Sequence, residues 1–196
     1  LGLIIVVGLV GPPAGVTNAG VLLVWVGWWA GFTIMTYTLG NSWPAVNPYR
    51  TIAGWLPSFD RPYPERLGAW PAVAGLVVLI WIEVVSPLAD DPRLLASVVT
   101  AYGILALVGA TYFGGDRYFG RIDPLSKAFR YYGAVAPLAR NATGGLRFRL
   151  PGAGLQDPTL VRDGSDVAFI LALPWVTSYD GLVAPPACPR LLTPLL

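Results

Sequence analysis

The chain has 196 residues, of which 55% are hydrophobic and only 12% charged, with a formal net charge of +2. A soluble domain of this length would carry about 25% charged residues, so the composition points to lipid as the solvent. The absence of histidine and the presence of one cysteine exclude Ser-His-Asp and Cys-His nucleophile systems and His/Cys zinc sites from this portion. No Walker-type glycine-rich loop occurs, so no phosphate-loop nucleotide site or other cofactor is expected. Basic residues lie in loops without an aromatic-and-basic platform, which argues against nucleic acid as a partner.

Taken in chain order, the first element is "LGLIIVVGLV", residues 1–10. It lacks the basic start of a signal peptide and reads as the far half of a spanning helix. The expected whole is therefore a fragment of a larger bundle. A membrane helix needs about 20 mostly apolar residues. Four further stretches fit: 19–39, 67–85, 94–113 and 166–183. The expected fold class is all-α: an integral membrane helical bundle forming one domain over 1–196, with about five segments, the first partial. Loops 40–66 and 114–165 join them. "GWWAG", Gly27 to Gly31, is a small-xxx-small pattern that predicts close helix packing.

Charge orients the segments. Arg50, Arg61 and Arg66 lie in the first long loop. Arg117, Arg121, Lys127, Arg130, Arg140, Arg147, Arg149 and Arg162 lie in the second. Together they make eleven of the 13 basic residues. The positive-inside rule makes that face cytoplasmic, at a cell membrane. Segments one, three and five then run outward, and two and four run inward.

The long loops carry local signals of their own. "NSWPAVNPYRTIAGWLP" mixes Trp, Tyr, Pro and Arg and suits a structure at the membrane interface, with Asn47, Pro48 and Arg50 as its motif. Asp123-Pro124 is a good helix start, with Pro at the first helical position. It predicts an amphipathic helix within Tyr118–Leu138 lying along the inner leaflet. Phe129, Tyr132 and Val135 would face lipid or protein, and Lys127 and Arg130 water. The turn-rich stretch 141–161 predicts a small hairpin or an extended loop, and Asn141-Ala142-Thr143 reads as a chance glycosylation pattern.

Ionisable residues inside membrane segments usually face a bundle interior or a water-filled cavity. Glu83 and Asp180 are the two clear cases, whereas Asp166 reads as a helix-terminal carboxylate. Glu83 lies 14 residues past Ala69, and Asp180 lies 14 past Asp166, so each is about 21 Å along its helix. On the fourth segment the same depth falls near Ser97 and Thr100. Paired acids without a basic partner suit a proton or a cation. In "WVTSYDG", Pro174 removes a backbone hydrogen bond, and Thr177, Ser178, Tyr179 and Asp180 follow it. A break between Pro174 and Gly181 would resemble the discontinuous helices of transporters. These features predict a permease-like protein for a small solute or cation, with a site between segments three, four and five. A membrane-embedded hydrolase of apolar esters and a non-catalytic scaffold are the rivals. A homo-oligomer or a partner membrane subunit would complete the assembly.

"NPYRTIAGWLP", "PYPERLGAWPAVAGLVVLIWIEVV" and "LPWVTSYDGLVA" together resemble a family of archaeal and actinobacterial multi-pass membrane proteins often labelled fenitrothion hydrolase-like. The resemblance runs from about Gly20 to Ala184. It implies an integral membrane protein in which Asn47, Pro48, Arg50, Glu83 and the run from Thr177 to Gly181 are the matching motif positions.

Overall fold

The computed structural model of the chain describes residues 1–140 and 145–183, and for residue 140 and residues 176–183 it describes the backbone alone. The chain is mostly helical, with 71% helix and little strand. Helix α1 covers Gly2–Val10. The next helical stretch, Ala19–Leu39, is continuous but changes its winding. It comprises α2 (Ala19–Leu22), a π-helical stretch (Leu23–Phe32) and α3 (Thr33–Leu39). Short helices α4 (Trp43–Val46) and α5 (Pro48–Ala53) follow, then the long α6 (Trp70–Val85) and α7 (Pro92–Phe113). One turn, α8 (Gly115–Arg117), and a π turn lead to α9 (Pro124–Val135), and α10 covers Gly164–Val183.

Two helices are long and apolar enough to cross a membrane: Ala19–Leu39 and Pro92–Phe113. Helix α6 and the part of α10 up to Trp175 are apolar but shorter. The sequence predicts a kink or an unwound turn between Pro174 and Gly181; helix α10 runs without interruption through Pro174 to Val183, so no unwound turn forms there. Proline deprives a helix of one hydrogen bond, and this backbone tolerates the loss without unwinding.

The helix starts follow their local chemistry. Asp91 accepts from the backbone N–H of Arg93 and Leu94 at 2.9 and 3.1 Å, ahead of Pro92 at the first helical position. Asn47 caps α5 in the same way, from Tyr49 and Arg50 at 3.0 and 3.2 Å. Asn18, fully buried, ties the end of α1 to the start of α2. Its amide donates to the carbonyls of Val7 and Pro12 at 3.0 and 2.9 Å, and its oxygen accepts from Gly20 N–H at 2.9 Å. Each such cap stabilises its helix by about 1 kcal/mol.

Helix α1 runs antiparallel along α7, close enough that a Cβ on Gly8 would stand 2.8 Å from the Pro92 carbonyl oxygen. Helix α10 runs beside α6 in the same direction. Their starts are joined by a 2.5 Å hydrogen bond from Ala69 N–H to Ser165 Oγ, and Ala72, Leu76, Phe169 and Leu173 share one core. The two basic loops meet at one end of the bundle. There Arg50 pairs with Asp116 at 2.5 Å, and Arg117 approaches Asp60 at 3.6 Å. The short loops meet at the other end, where Gly15 lies against Ala89 and Asp90.

Between α9 and α10, β1 (Leu138–Arg140) pairs antiparallel with β2 (Leu146–Phe148), with Leu138 opposite Phe148. The turn-rich stretch 141–161 supplies only the second strand of this hairpin, because the first lies before it. The Asn141 pattern lies outside the described residues. Arg149 then turns back and donates to the carbonyls of Gly133, Ala134 and Ala136 at 3.0, 3.0 and 2.9 Å, capping the end of α9.

Helix α9 lies within Tyr118–Leu138 and is mostly buried against α3, α4 and α6, with Phe129 toward protein. Two expectations about local packing need correction. Lys127 does not face water: it is 4% exposed and pairs with Asp166 at 2.5 Å. A buried carboxylate on α10 draws the ammonium inward, since a charge left unpaired there would be costly. Gly27 and Gly31 are both exposed, so "GWWAG" does not pack one helix on another among the described residues. The i→i+5 winding around it breaks the four-residue register that the motif needs.

Candidate functional site

An apolar cavity of about 400 Å³ lies inside the bundle. Its walls come from the π-helical stretch, α6, α7 and the loop helices. Trp25, Trp28, Trp29 and Phe32 form one side; Leu76, Ile80 and Glu83 a second; Leu95, Val99 and Tyr102 a third. Trp43, Tyr49 and Leu125 also line it. Val24, Trp25, Trp28, Trp29 and Phe32 recur at one- and four-residue steps, which puts them on one face of the stretch and lets all five line this space.

Aromatic contacts hold this wall. Phe129 of α9 sits 5.1 Å from the Trp43 ring and 5.0 Å from Phe32, and Trp43 lies 5.6 Å from Trp28. The amphipathic helix and the first loop are thereby fastened to the π-helical stretch. Aromatic pairs of this kind contribute about 0.5–1.5 kcal/mol beyond the area they bury. The Tyr49 ring enters a notch at Gly103, where any Cβ would collide with it, and Tyr118 enters a similar notch at Gly109. Tyr49 Oη donates to the Val99 carbonyl at 2.9 Å.

One buried carboxylate stands beside the cavity. Asp123 is fully buried, caps α9 through Ser126 N–H at 2.8 Å, and accepts a hydrogen bond from the Tyr102 hydroxyl. Burial pushes its pKa up, opposed by the hydrogen bonds from Ser126 and Tyr102. Burial likewise raises the Tyr49 and Tyr118 phenols, with the Asp123 charge adding to the effect. A carboxyl that keeps its proton to higher pH, reached through a hydroxyl lining the cavity, can take up or release a proton there.

Glu83, half-buried, lines the cavity. Its expected companions are placed otherwise. Ser97 is exposed and its Oγ donates to its own helix, to Arg93 O at 2.8 Å; Thr100 does the same to Ala96 O at 2.7 Å. These hydroxyls satisfy themselves along α7. The side chains of Thr177, Ser178, Tyr179 and Asp180 lie outside the described residues. No described residue of α10 lines the cavity, which opens between segments two, three and four rather than three, four and five.

The motif residues Asn47, Pro48 and Arg50 have structural work. Asn47 caps, Pro48 starts α5 and borders the cavity, and Arg50 pairs with Asp116. Sequence reasoning missed Tyr49, Tyr102 and Asp123 as a group. Asp123 was legible as a helix cap, but its partner lies 21 residues away on α7. Among the described residues no three His, Cys, Asp or Glu come together as a metal site would require. Set beside known proteins, the chain matches no family model, no curated protein and no solved structure.

Proposed function

We propose that this chain is a multi-pass integral membrane protein whose bundle holds a small, mostly apolar solute in a permease-like role. The cavity between the π-helical stretch, α6 and α7 carries this reading. It is large enough for a molecule of several heavy atoms, and its lining suits an apolar body better than a bare cation. A scaffold whose polar residues only fix packing would have no use for it. The aromatic rings of Trp25, Trp28 and Trp43 in the cavity lining offer a flat apolar solute stacking surfaces. Glu83 and the Tyr102–Asp123 pair are the candidate proton carriers, and Asp180 stands at the depth of Glu83 by residue count.

The bundle's outer surface supports the membrane. A core helix of a soluble protein is mostly buried, yet only 22% of the Ala19–Leu39 window and 28% of the Pro92–Phe113 window are. Ile104, Leu105 and Val108 on α7 are 58%, 67% and 63% exposed. Apolar faces of this extent mark a contact with lipid or protein. In this reading segments two to five cross, the first stands as part of a span, and the basic end is cytoplasmic.

Two experiments test the reading. The full chain in lipid nanodiscs is titrated with nitrobenzene, a small apolar quencher, and tryptophan fluorescence is followed. Saturable quenching is expected, and Val99→Trp, which fills the cavity, should remove it; identical linear quenching in both proteins would sink the proposal. Release of 4-nitrophenol from its butyrate ester, lost in Glu83→Gln, would instead make the cavity a hydrolase site. For topology, single cysteines in a Cys188-free background should react with an impermeant reagent in intact cells at Asp90 and not at Arg61 or Arg147.

A further inference from the structure

A second, polar pocket of about 220 Å³ lies at the basic end of the bundle, between the starts of α6 and α10 and the outer side of α9. Four cations border it: Arg121, Lys127, Arg130 and Arg162. Three carboxylates do so as well: Glu65, Asp163 and Asp166. Their bonding separates the two sets. Asp166 is taken by Lys127 at 2.5 Å and by Arg162 N–H at 2.8 Å. Asp163 caps α10, accepting from Ser165 N–H at 2.8 Å and from the Ser165 hydroxyl, and these bonds hold its carboxyl below the usual range. No carboxylate among the described residues forms a salt bridge with Arg121, Arg130 or Arg162. Arg130 gives one N–H to the Thr159 carbonyl at 2.6 Å and keeps the rest of its fork.

Three guanidiniums that form no salt bridge among the described residues therefore border one small polar space, opposed by Glu65 and an already hydrogen-bonded Asp163, with Asp157 acting on Arg130 only at longer range. Guanidinium presents planar, paired donors that match phosphate oxygens. The start of α6 borders the pocket through Gly68 and Ala69, and the dipole of that helix favours the same sign of ligand. Leu67 and Trp70 beside the pocket are 45% and 54% exposed, and Val167 and Leu171 one helix away are 45% and 65% exposed. A polar anion seat thus adjoins an apolar outer wall.

The geometry points to a binding site for a phosphate group, carried either by an anionic phospholipid headgroup or by a free phosphate. Arg121, Arg130 and Arg162 hold its oxygens. The buried Lys127–Asp166 pair forms the pocket's inner wall and keeps α9 against α10. Basic pockets at the cytoplasmic side of helix bundles hold anionic headgroups by the same chemistry.

The test measures thermal unfolding of the purified full chain in a neutral detergent. Separate samples receive phosphatidylglycerol in mixed micelles, phosphatidylcholine in the same amount, sodium phosphate, or sodium chloride at matched ionic strength. A rise in Tm with phosphatidylglycerol and not phosphatidylcholine assigns the site to a headgroup. A rise with phosphate over chloride assigns it to the free anion. In either case Arg121→Gln/Arg162→Gln should weaken binding at least about tenfold, and Arg147→Gln, outside the pocket, should not. Arg162→Gln alone, at an exposed position, serves if the double variant does not fold. No rise with either ligand, or a rise that survives the substitutions, overturns the proposal.

Discussion

Two ion pairs have the same separation and opposite surroundings. Lys127 and Asp166 meet at 2.5 Å with side chains 4% and 5% exposed; Arg50 and Asp116 meet at 2.5 Å with side chains 35% and 93% exposed. Both join segments distant in sequence. Separation alone therefore says little about energetic weight. In the buried pair, water reaches a lost partner's place only from the pocket side, and the aromatic rings of Tyr131 and Phe169, each 5.8 Å from the ammonium, replace it only weakly. Burial pushes the Lys127 pKa down, and the Asp166 partner holds it up. In the exposed pair, solvent and salt screen most of the attraction.

The largest expected effect comes from splitting the buried pair. Lys127→Met leaves Asp166 buried without its cation and should destabilise the protein by about 3–5 kcal/mol, read from thermal or denaturant unfolding in detergent. Replacing both partners, Lys127→Met with Asp166→Leu, should recover most of that loss. A single variant within about 1 kcal/mol of the parent would show that water reaches the site.

Ser165 tests the neighbouring polar joint. Its Oγ accepts from Ala69 N–H, and Ser165→Ala leaves that buried donor without a partner. The expected loss is about 1–3 kcal/mol by the same measurement. No change would mean that the starts of α6 and α10 are held by the apolar core alone.

Breaking the exposed pair should matter least to stability. Arg50→Ala should cost less than about 1 kcal/mol, and the difference should shrink further in high salt. A loss as large as that of Lys127→Met would erase the contrast drawn from burial.

The last prediction concerns the sign of a pH effect. Burial raises the Asp123 pKa above its ordinary 3.8, so the folded state keeps this proton to a higher pH than the unfolded chain does. Its contribution to stability is full below the unfolded pKa and is lost as pH rises through the folded one. Asp123→Asn does not titrate. Its stability relative to the parent should therefore grow as pH rises from about 4 upward. A difference that shrinks over that window would reverse the assignment.

Much of the helical layout was legible because its signals are local. Asp123-Pro124 announces a helix start through the chemistry of the first turn, and Asp123 caps α9 there. Asn47-Pro48 and Asp91-Pro92 carry the same local signal and cap α5 and α7, although the sequence reading passed over them. The apolar segments and the gathering of the basic loops at one end follow from segment length and alternation. Glu83 was legible as a polar residue in an apolar run, and it lines the cavity. What tertiary structure alone decided is who meets whom. Lys127 looked like a solvated charge on an amphipathic helix because nothing near it in sequence shows Asp166 waiting 39 residues on. Ser97 and Thr100 looked like partners for Glu83 at equal depth, but depth along an axis does not fix rotation about it, and both hydroxyls bond their own helix. The π winding of Leu23–Phe32 is another such case, since its residues have no local mark of an i→i+5 ladder. Sequence alone set which segments are helical and apolar, because a few neighbouring residues govern backbone hydrogen bonding and partition between water and oil. The cavity, the buried pair and the Tyr102–Asp123 contact depend on side chains brought together from distant segments, and those meetings are fixed only when the helices dock.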